Sequence, residues 1–189
     1  VWIAYDESYL YFAAKLYDTN PDSIVGRLAR RDNFIDSDWF GIFLDPYFDK
    51  KTGFFFAVNP IGTQVDGTLF NDGWDDPSWN GVWESATLID EDGWNVEIKI
   101  PFSQLRFKKN DAMIWGINLR RDVYRKNEHQ YFVMIPKSES GFVSKFAELH
   151  GLNEIKPSQR LEIFPYIVSK AQYLVHDAND PFYKQNQYK

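Results

Sequence analysis

The chain has no cysteine among its 189 residues, which excludes a disulfide framework, thiolate metal sites and a cysteine nucleophile. It has no apolar run long enough to cross a bilayer as a helix. Its three histidines, His129, His150 and His176, are far apart and lack metal-ligand spacing, and no Gly-x-Ser-x-Gly nucleophile accompanies them. We read all three as incidental polar residues. The two methionines, Met113 and Met134, sit in no recognisable haem motif. Internal repeats, low-complexity tracts and heptads are absent as well. A glycosidase needs two carboxylates facing each other across a cleft, and sequence alone cannot choose such a pair from 27 acids.

Positive charge is scarce where it would matter for nucleic acid. Residues 1 to 95 carry 17 Asp and Glu against 6 Lys and Arg, a net of −11, while the remainder is net +5. Nucleic-acid affinity rests on neutralising phosphates, so the acidic half argues against such a partner and suits cations or neutral polar ligands. The basic residues of the second half are too dispersed to reverse this.

What the chain has in abundance is aromatic residues, at 18%, including 11 tyrosines, which suit half-wet surfaces such as sheets and sugar or peptide sites. The length fits one well-buried domain. Alternation with period two dominates. Leu10, Phe12, Ala14 and Leu16 alternate with more polar neighbours over 9 to 17, and Trp94, Val96, Ile98 and Ile100 do so over 94 to 100. Further strands are expected at 1 to 5, 38 to 45, 53 to 59, 63 to 70, 82 to 89, 114 to 121, 129 to 135, 145 to 150 and 160 to 175, with Asp, Asn and Gly turns between most of them. Many short strands with hairpin-length links imply an all-β antiparallel β-sandwich. Helix is confined to a turn at 102 to 105 after Pro101 and a short segment over 23 to 31.

The segment NDGWDDPSWNGVW (residues 71 to 83) puts three tryptophans among turn formers and carboxylates. Sugar rings present flat faces of C–H bonds, so a sugar site needs aromatic platforms with polar groups at their edges. Trp74 and Trp79 are the candidate platforms, with Asn71, Asp72 and Asn80 as polar partners. The competing reading has these rings folded down as a lid over one end of the sandwich. Trp83 opens a strand and is assigned to the core or its margin. Asp36, Asp38 and Asp45 lie around the start of another strand and are candidate oxygen ligands for Ca2+, although no twelve-residue EF-hand pattern is present. Solvated acidic loops and turn-forming aspartates are the plainer alternative.

Several runs resemble family 9 carbohydrate-binding modules: RDNFIDSDWFGIFLDP (31 to 46), FFFAVNPIG (54 to 62), VWESA (82 to 86), GWNVEIKIP (93 to 101) and WGINLRR (115 to 121), in matching order and spacing over about residues 1 to 155. SGFVSKF (140 to 146) and LEIFPY (161 to 166) resemble a subgroup in which this module precedes an outer-membrane β-barrel. The resemblance implies a sandwich over 1 to 155, with 156 to 189 forming a terminal strand and linker toward a C-terminal barrel. Val1 opens directly on a strand-like stretch, so the natural start is expected upstream. It also implies a bacterial cell-envelope location, periplasmic or outer-membrane associated, a structural calcium ion, and non-catalytic binding of a glycan clamped between aromatic rings. The alternative is a structural or protein-interaction module of an outer-membrane complex that has lost the sugar site.

Overall fold

A computed structural model describes residues 1–108, 113–155, 167–172 and 187–188. Two antiparallel sheets face each other across one core. The smaller has four strands: β1 (Trp2–Tyr5), β2 (Tyr9–Tyr17), β7 (Glu84–Asp90) and β8 (Gly93–Pro101), in the order β1-β2-β8-β7. The larger has β3 (Trp39–Asp45), β4 (Gly53–Val58), β5 (Gln64–Phe70), β6 (Trp74–Asp76), β9 (Met113–Val123), β10 (Glu128–Tyr131) and β11 (Ala147–Leu152). Its order is β10-β9-β3-β4-β5-β6, and β11 shares an edge of β9 with β10. A separate two-residue ladder pairs β12 (Ala171–Gln172) with β13 (Gln187–Tyr188). The fold is therefore the expected β-sandwich, with helix limited to 3-10 turns among the described residues.

The core between the sheets is built from the inward halves of the alternating strands. Leu10, Ile42, Leu44, Phe56, Trp94 and Ile100 are fully buried. Each such side chain stabilises the fold by roughly 1.5–3 kcal/mol relative to exposure. The two sheets differ in their other faces. β2 and β8 alternate buried with half-exposed residues, whereas β4 is buried at every position and β3 at all but one. The reason is a second apolar cluster on the outer face of the large sheet. There Trp39, Phe55, Ala57, Val65 and Leu69 meet Ile35 from one loop and Phe142, Val143 and Phe146 from another. Unbroken apolar strands such as GFFFAV are the usual sign of a sheet covered on both sides.

Two expectations change. Residues 23 to 31 form no helix; the only 3-10 turn there is Pro21–Ser23. Their backbone is drawn instead to the sandwich: Val25 accepts from the Asp38 amide, Arg27 from the Asn59 side chain, and the Ala29 amide donates to Thr63. An extended strap that satisfies its polar groups through neighbours has no use for helical hydrogen bonds. Within the tryptophan-rich loop, Trp74–Asp76 forms the short edge strand β6 on β5. The strand expected over 160 to 175 lies largely outside the described residues, and only Ala171–Gln172 of it is seen as strand. No described helix is long and apolar enough to cross a membrane.

Charged groups join the two sheets at one end. Asp18, just after β2, receives both terminal guanidinium nitrogens of Arg125, from the turn after β9, at 2.6 and 2.7 Å. The Arg125 hydrogen bonds hold the nearly buried Asp18 carboxyl down to about 2. At the other buried knot, Asp66 accepts from the Trp83 indole at 2.8 Å and the Gly81 amide at 2.7 Å, and it also pairs with Arg31. Trp83 is thus a core residue, as its strand setting implied.

Candidate functional site

The register of the large sheet assembles a trough on its outer face. Because alternate residues share a face, Val65, Ala57, Gly41, Arg120 and Tyr131 form one row across β5, β4, β3, β9 and β10. Small residues at the middle of this row, Gly41 and Ala57, make a low floor. The next row on one side carries Trp39, Asp122 and His129, and the next on the other carries Phe55 and Phe43. Gly41 lies in ordinary strand backbone; what it contributes is space. A Cβ there would rest at 3.5 Å from the Phe43 ring and 3.8 Å from Ala57.

The resulting cavity is about 380 Å3, within the range of small-ligand sites. Its walls are aromatic. Phe34 meets Trp39 edge-on at 4.9 Å, and Phe43 meets Phe142 edge-on at 5.0 Å. The Trp39 indole donates to the Ile35 carbonyl, which ties the 30 to 36 loop to the wall it covers.

One end is polar. Asp122 accepts from Arg120 Nε at 2.7 Å and contacts His129 Nδ1 at 2.6 Å. A carboxylate only accepts, so this contact requires Nδ1 to carry its proton and to donate. The Arg120 guanidinium also stands 5.7 Å from the Tyr131 ring centre. Asp75, from β6, lines the cavity as well. Flat rings, hydrogen-bond donors and carboxylates thus converge on a slot with a glycine floor. Such a slot can stack against the apolar face of a cyclic polyol and meet hydroxyl groups at its edge.

Sequence reasoning pointed to a different loop. Trp79 is half-buried, 5.2 Å from the Phe54 ring and 6.0 Å from Phe56, and it packs on the main core as a lid. Trp74 is 67% exposed. It pairs in register with Phe70, while its neighbour Asp75 pairs with Leu69 beside the trough, so Trp74 belongs to the opposite face of β6. Asn71 and Asp72 take left-handed turn conformations, with φ of 49° and 64°. Asp72 is a tether: it accepts from the amides of Phe142 and Ser144 and from the Ser144 hydroxyl. Burial raises its pKa, but these hydrogen bonds outweigh that and keep it below the usual carboxylate value. Asn80 is exposed, with its amide 3.3 Å from the Ser78 carbonyl. Asn71, Asp72 and Trp74 share a shallow cleft with Ser140 and Phe142, but Trp79 turns inward, so the five residues do not form one surface.

The three aspartates chosen for calcium are likewise dispersed. Asp38 and Asp45 stand at opposite ends of β3, separated by about 20 Å of strand. Asp38 is fully buried, accepts from the Tyr124 amide, and has its pKa raised by desolvation. Asp45 caps the following turn by accepting from the amides of Asp49 and Lys50, and burial raises its pKa too. Asp36 is exposed and faces Arg27 at 3.9 Å. A cation needing six to eight oxygens finds no shared donor set among them. Among the described residues no group of three or more His, Cys, Asp or Glu is placed to hold a metal.

Comparison with solved structures agrees with this architecture. A family 9 carbohydrate-binding module from Caldicellulosiruptor kristjanssonii in complex with cellotriose superposes with a TM-score of 0.54 at 20% identity, over 86% of this chain and 78% of that one. The fold is family-9-like. A family 9 carbohydrate-binding module from Caldicellulosiruptor kristjanssonii in complex with glucose gives 0.50 at 18% identity, over 86% and 77% of the two chains. A protein from Bacteroides uniformis, provisionally described as carbohydrate-binding, gives 0.62 at 15% identity over 78% and 75%. No protein-family profile and no curated protein matches the sequence.

Arg120, Asp122, His129 and Gly41 escaped the sequence reading. The usable signal was Gly41 itself: a glycine inside a strongly apolar strand marks a place where something approaches the backbone closely.

Proposed function

We propose that this protein is a non-catalytic carbohydrate-binding module that takes a neutral sugar ring into the trough over Gly41 and Ala57. The observation that carries the reading is the trough itself, with aromatic walls at Trp39 and Phe43 and a polar end at Arg120 and Asp122, the latter held from behind by His129. The family-9-like fold supports it, since two of the neighbours hold cellotriose and glucose. A binding role without hydrolysis is favoured because Asp122 is engaged by Arg120 and His129, leaving Asp75 as the other wall carboxylate, whereas glycosidases use two working carboxyl groups. We assign the module to the bacterial cell envelope, beside an outer-membrane barrel, on the resemblance carried by residues 140 to 146 and 161 to 166, the latter outside the described residues.

Gly41→Leu tests this. The Cβ is accommodated and the longer side chain fills the slot, so the variant is expected to keep its melting temperature and lose sugar affinity by about tenfold or more, roughly 1.4 kcal/mol or above. Retention on a glycan array and calorimetric titration with glucose and cellotriose supply the readout. Unchanged binding by the variant overturns the trough as the site. A wild-type protein that retains no glycan favours the interaction module, for which Phe132 and Met134, both exposed just beyond β10, offer apolar contact.

A further inference from the structure

We infer that the outer face of the small sheet is a second carbohydrate surface, suited to an extended neutral oligosaccharide lying across the strands. It is distinct from the trough, because it lies on the other sheet and shares no residue with it.

The registers of β1, β2, β8 and β7 place two rows side by side on this face. One runs Trp2, Ala13, Glu97, Ala86, and the other runs Ala4, Tyr11, Lys99, Glu84. Between them lies a groove of about 430 Å3. Alanines at three of the eight positions lower its floor, while Trp2, 65% exposed, stands as an indole at one end. From Trp2 to Ala86 the row spans three inter-strand spacings, about 14 Å. That is room for several sugar rings rather than one.

The polar groups are of the kind sugars need. Glu97 is exposed in the middle of the sheet and has no ion pair among the described residues, so its carboxylate is available to accept from hydroxyl groups. Lys99 is held in place by Glu84 at 3.1 Å and lies 4.2 Å above the Tyr9 ring. Two carboxylates against one ammonium leave the groove net negative. Acidic polysaccharides and nucleic acid are disfavoured by that balance. A second copy of the chain is disfavoured as well, since a two-fold pairing of this face would set Glu97 and Glu84 against an identical acidic surface. An uncharged chain with flat C–H faces and many hydroxyls fits the ring, the alanine floor and the free carboxylate together.

The test is an NMR titration of 15N-labelled protein with glucose, cellotriose and a panel of neutral oligosaccharides, with a polyuronate oligosaccharide as the acidic control. Trp2→Ala, which removes an exposed ring and leaves the core intact, assigns the Trp2 indole signal. Ala13→Leu fills the groove from a position facing solvent. The expected result is movement of the Trp2 indole and the amides of Ala13 and Glu97 with a neutral oligosaccharide, retained in Gly41→Leu. Affinity should fall about tenfold in Trp2→Ala and Ala13→Leu, and the acidic control should leave these signals still. Shifts confined to Gly41, Ala57 and Arg120 overturn the second surface while leaving the trough intact. Shifts confined to Trp2 and its row support this surface and overturn the trough. If no sugar moves either set, both fail; if sedimentation instead shows a dimer lost in Trp2→Ala, the face is a protein interface and the inference is wrong.

Discussion

On the outer face of the large sheet, Trp39 and Phe55 are buried under two loop segments, while on the outer face of the small sheet Trp2 and Leu88 each stand 65% exposed. Both faces present aromatics and small residues in cross-strand rows, but only the first is roofed. The roof converts a shallow row of residues into a slot with walls, and it is held down by carboxylates rather than by greasy contact alone. Asp66 binds Arg31, at the root of the loop that carries Phe34 and Ile35, and Asp72 binds the segment that carries Phe142. A sheet face becomes a pocket here because two acids, the buried Asp66 and the half-buried Asp72, anchor the segments that cover it.

The comparison can be broken at those anchors. Asp66→Ala leaves the Gly81 amide, the Trp83 indole and Arg31 without their shared acceptor, and is expected to cost about 3–5 kcal/mol in urea unfolding. An equilibrium curve within 1 kcal/mol of wild type, as an order of magnitude for a lost surface contact, would show that the knot is dispensable. Asp72→Ala removes three hydrogen bonds to the 142 to 144 segment and is expected to cost roughly 2 kcal/mol. Hydrogen exchange should then rise in that segment and not on β2 or β8, which carry the unroofed face.

A pH titration sharpens the contrast between paired and unpaired acids. The Asp18 carboxyl is depressed to about 2 by Arg125, so its contribution is fully present above the ordinary Asp value near 4 and is lost as pH falls toward 2. Asp38 has the opposite sign: burial raises its pKa, so protonation on acidification favours the folded state. Asp18→Asn should therefore flatten the acid limb of thermal stability, and Asp38→Asn should not. The smallest effect is expected at Trp74→Ala, on the open side of β6, where stability should change by less than about 0.5 kcal/mol and trough affinity should stay the same. A large loss of sugar binding in that variant would restore the tryptophan loop as the site.

Much of the sandwich was legible in the chain. Period-two alternation located β2 and β8, and the unbroken apolar runs of β3 and β4 mark strands covered on both faces. The site was less so. Its polar end joins Arg120 and Asp122 of β9 to His129 of β10, and its floor joins Gly41 of β3 to Ala57 of β4. Those neighbours exist only through strand order and register, which composition does not encode. Local density of tryptophan drew attention to 71 to 83 instead, where one ring seals the core at Trp83, one lids it at Trp79 and one, Trp74, lies on the edge.

That edge gives the loop's carboxylates a second purpose, beside the place of Asp75 in the trough wall. β6 is only three residues long and closes one border of the large sheet with the exposed Asp75 and the half-buried Asp76, followed by Pro77, which has no amide hydrogen to offer. A border so short, charged and interrupted is a poor template for strand pairing between molecules. The expected consequence is colloidal: Asp75 and Asp76 disfavour crowded copies of the protein zipping together along the sheet that carries the trough.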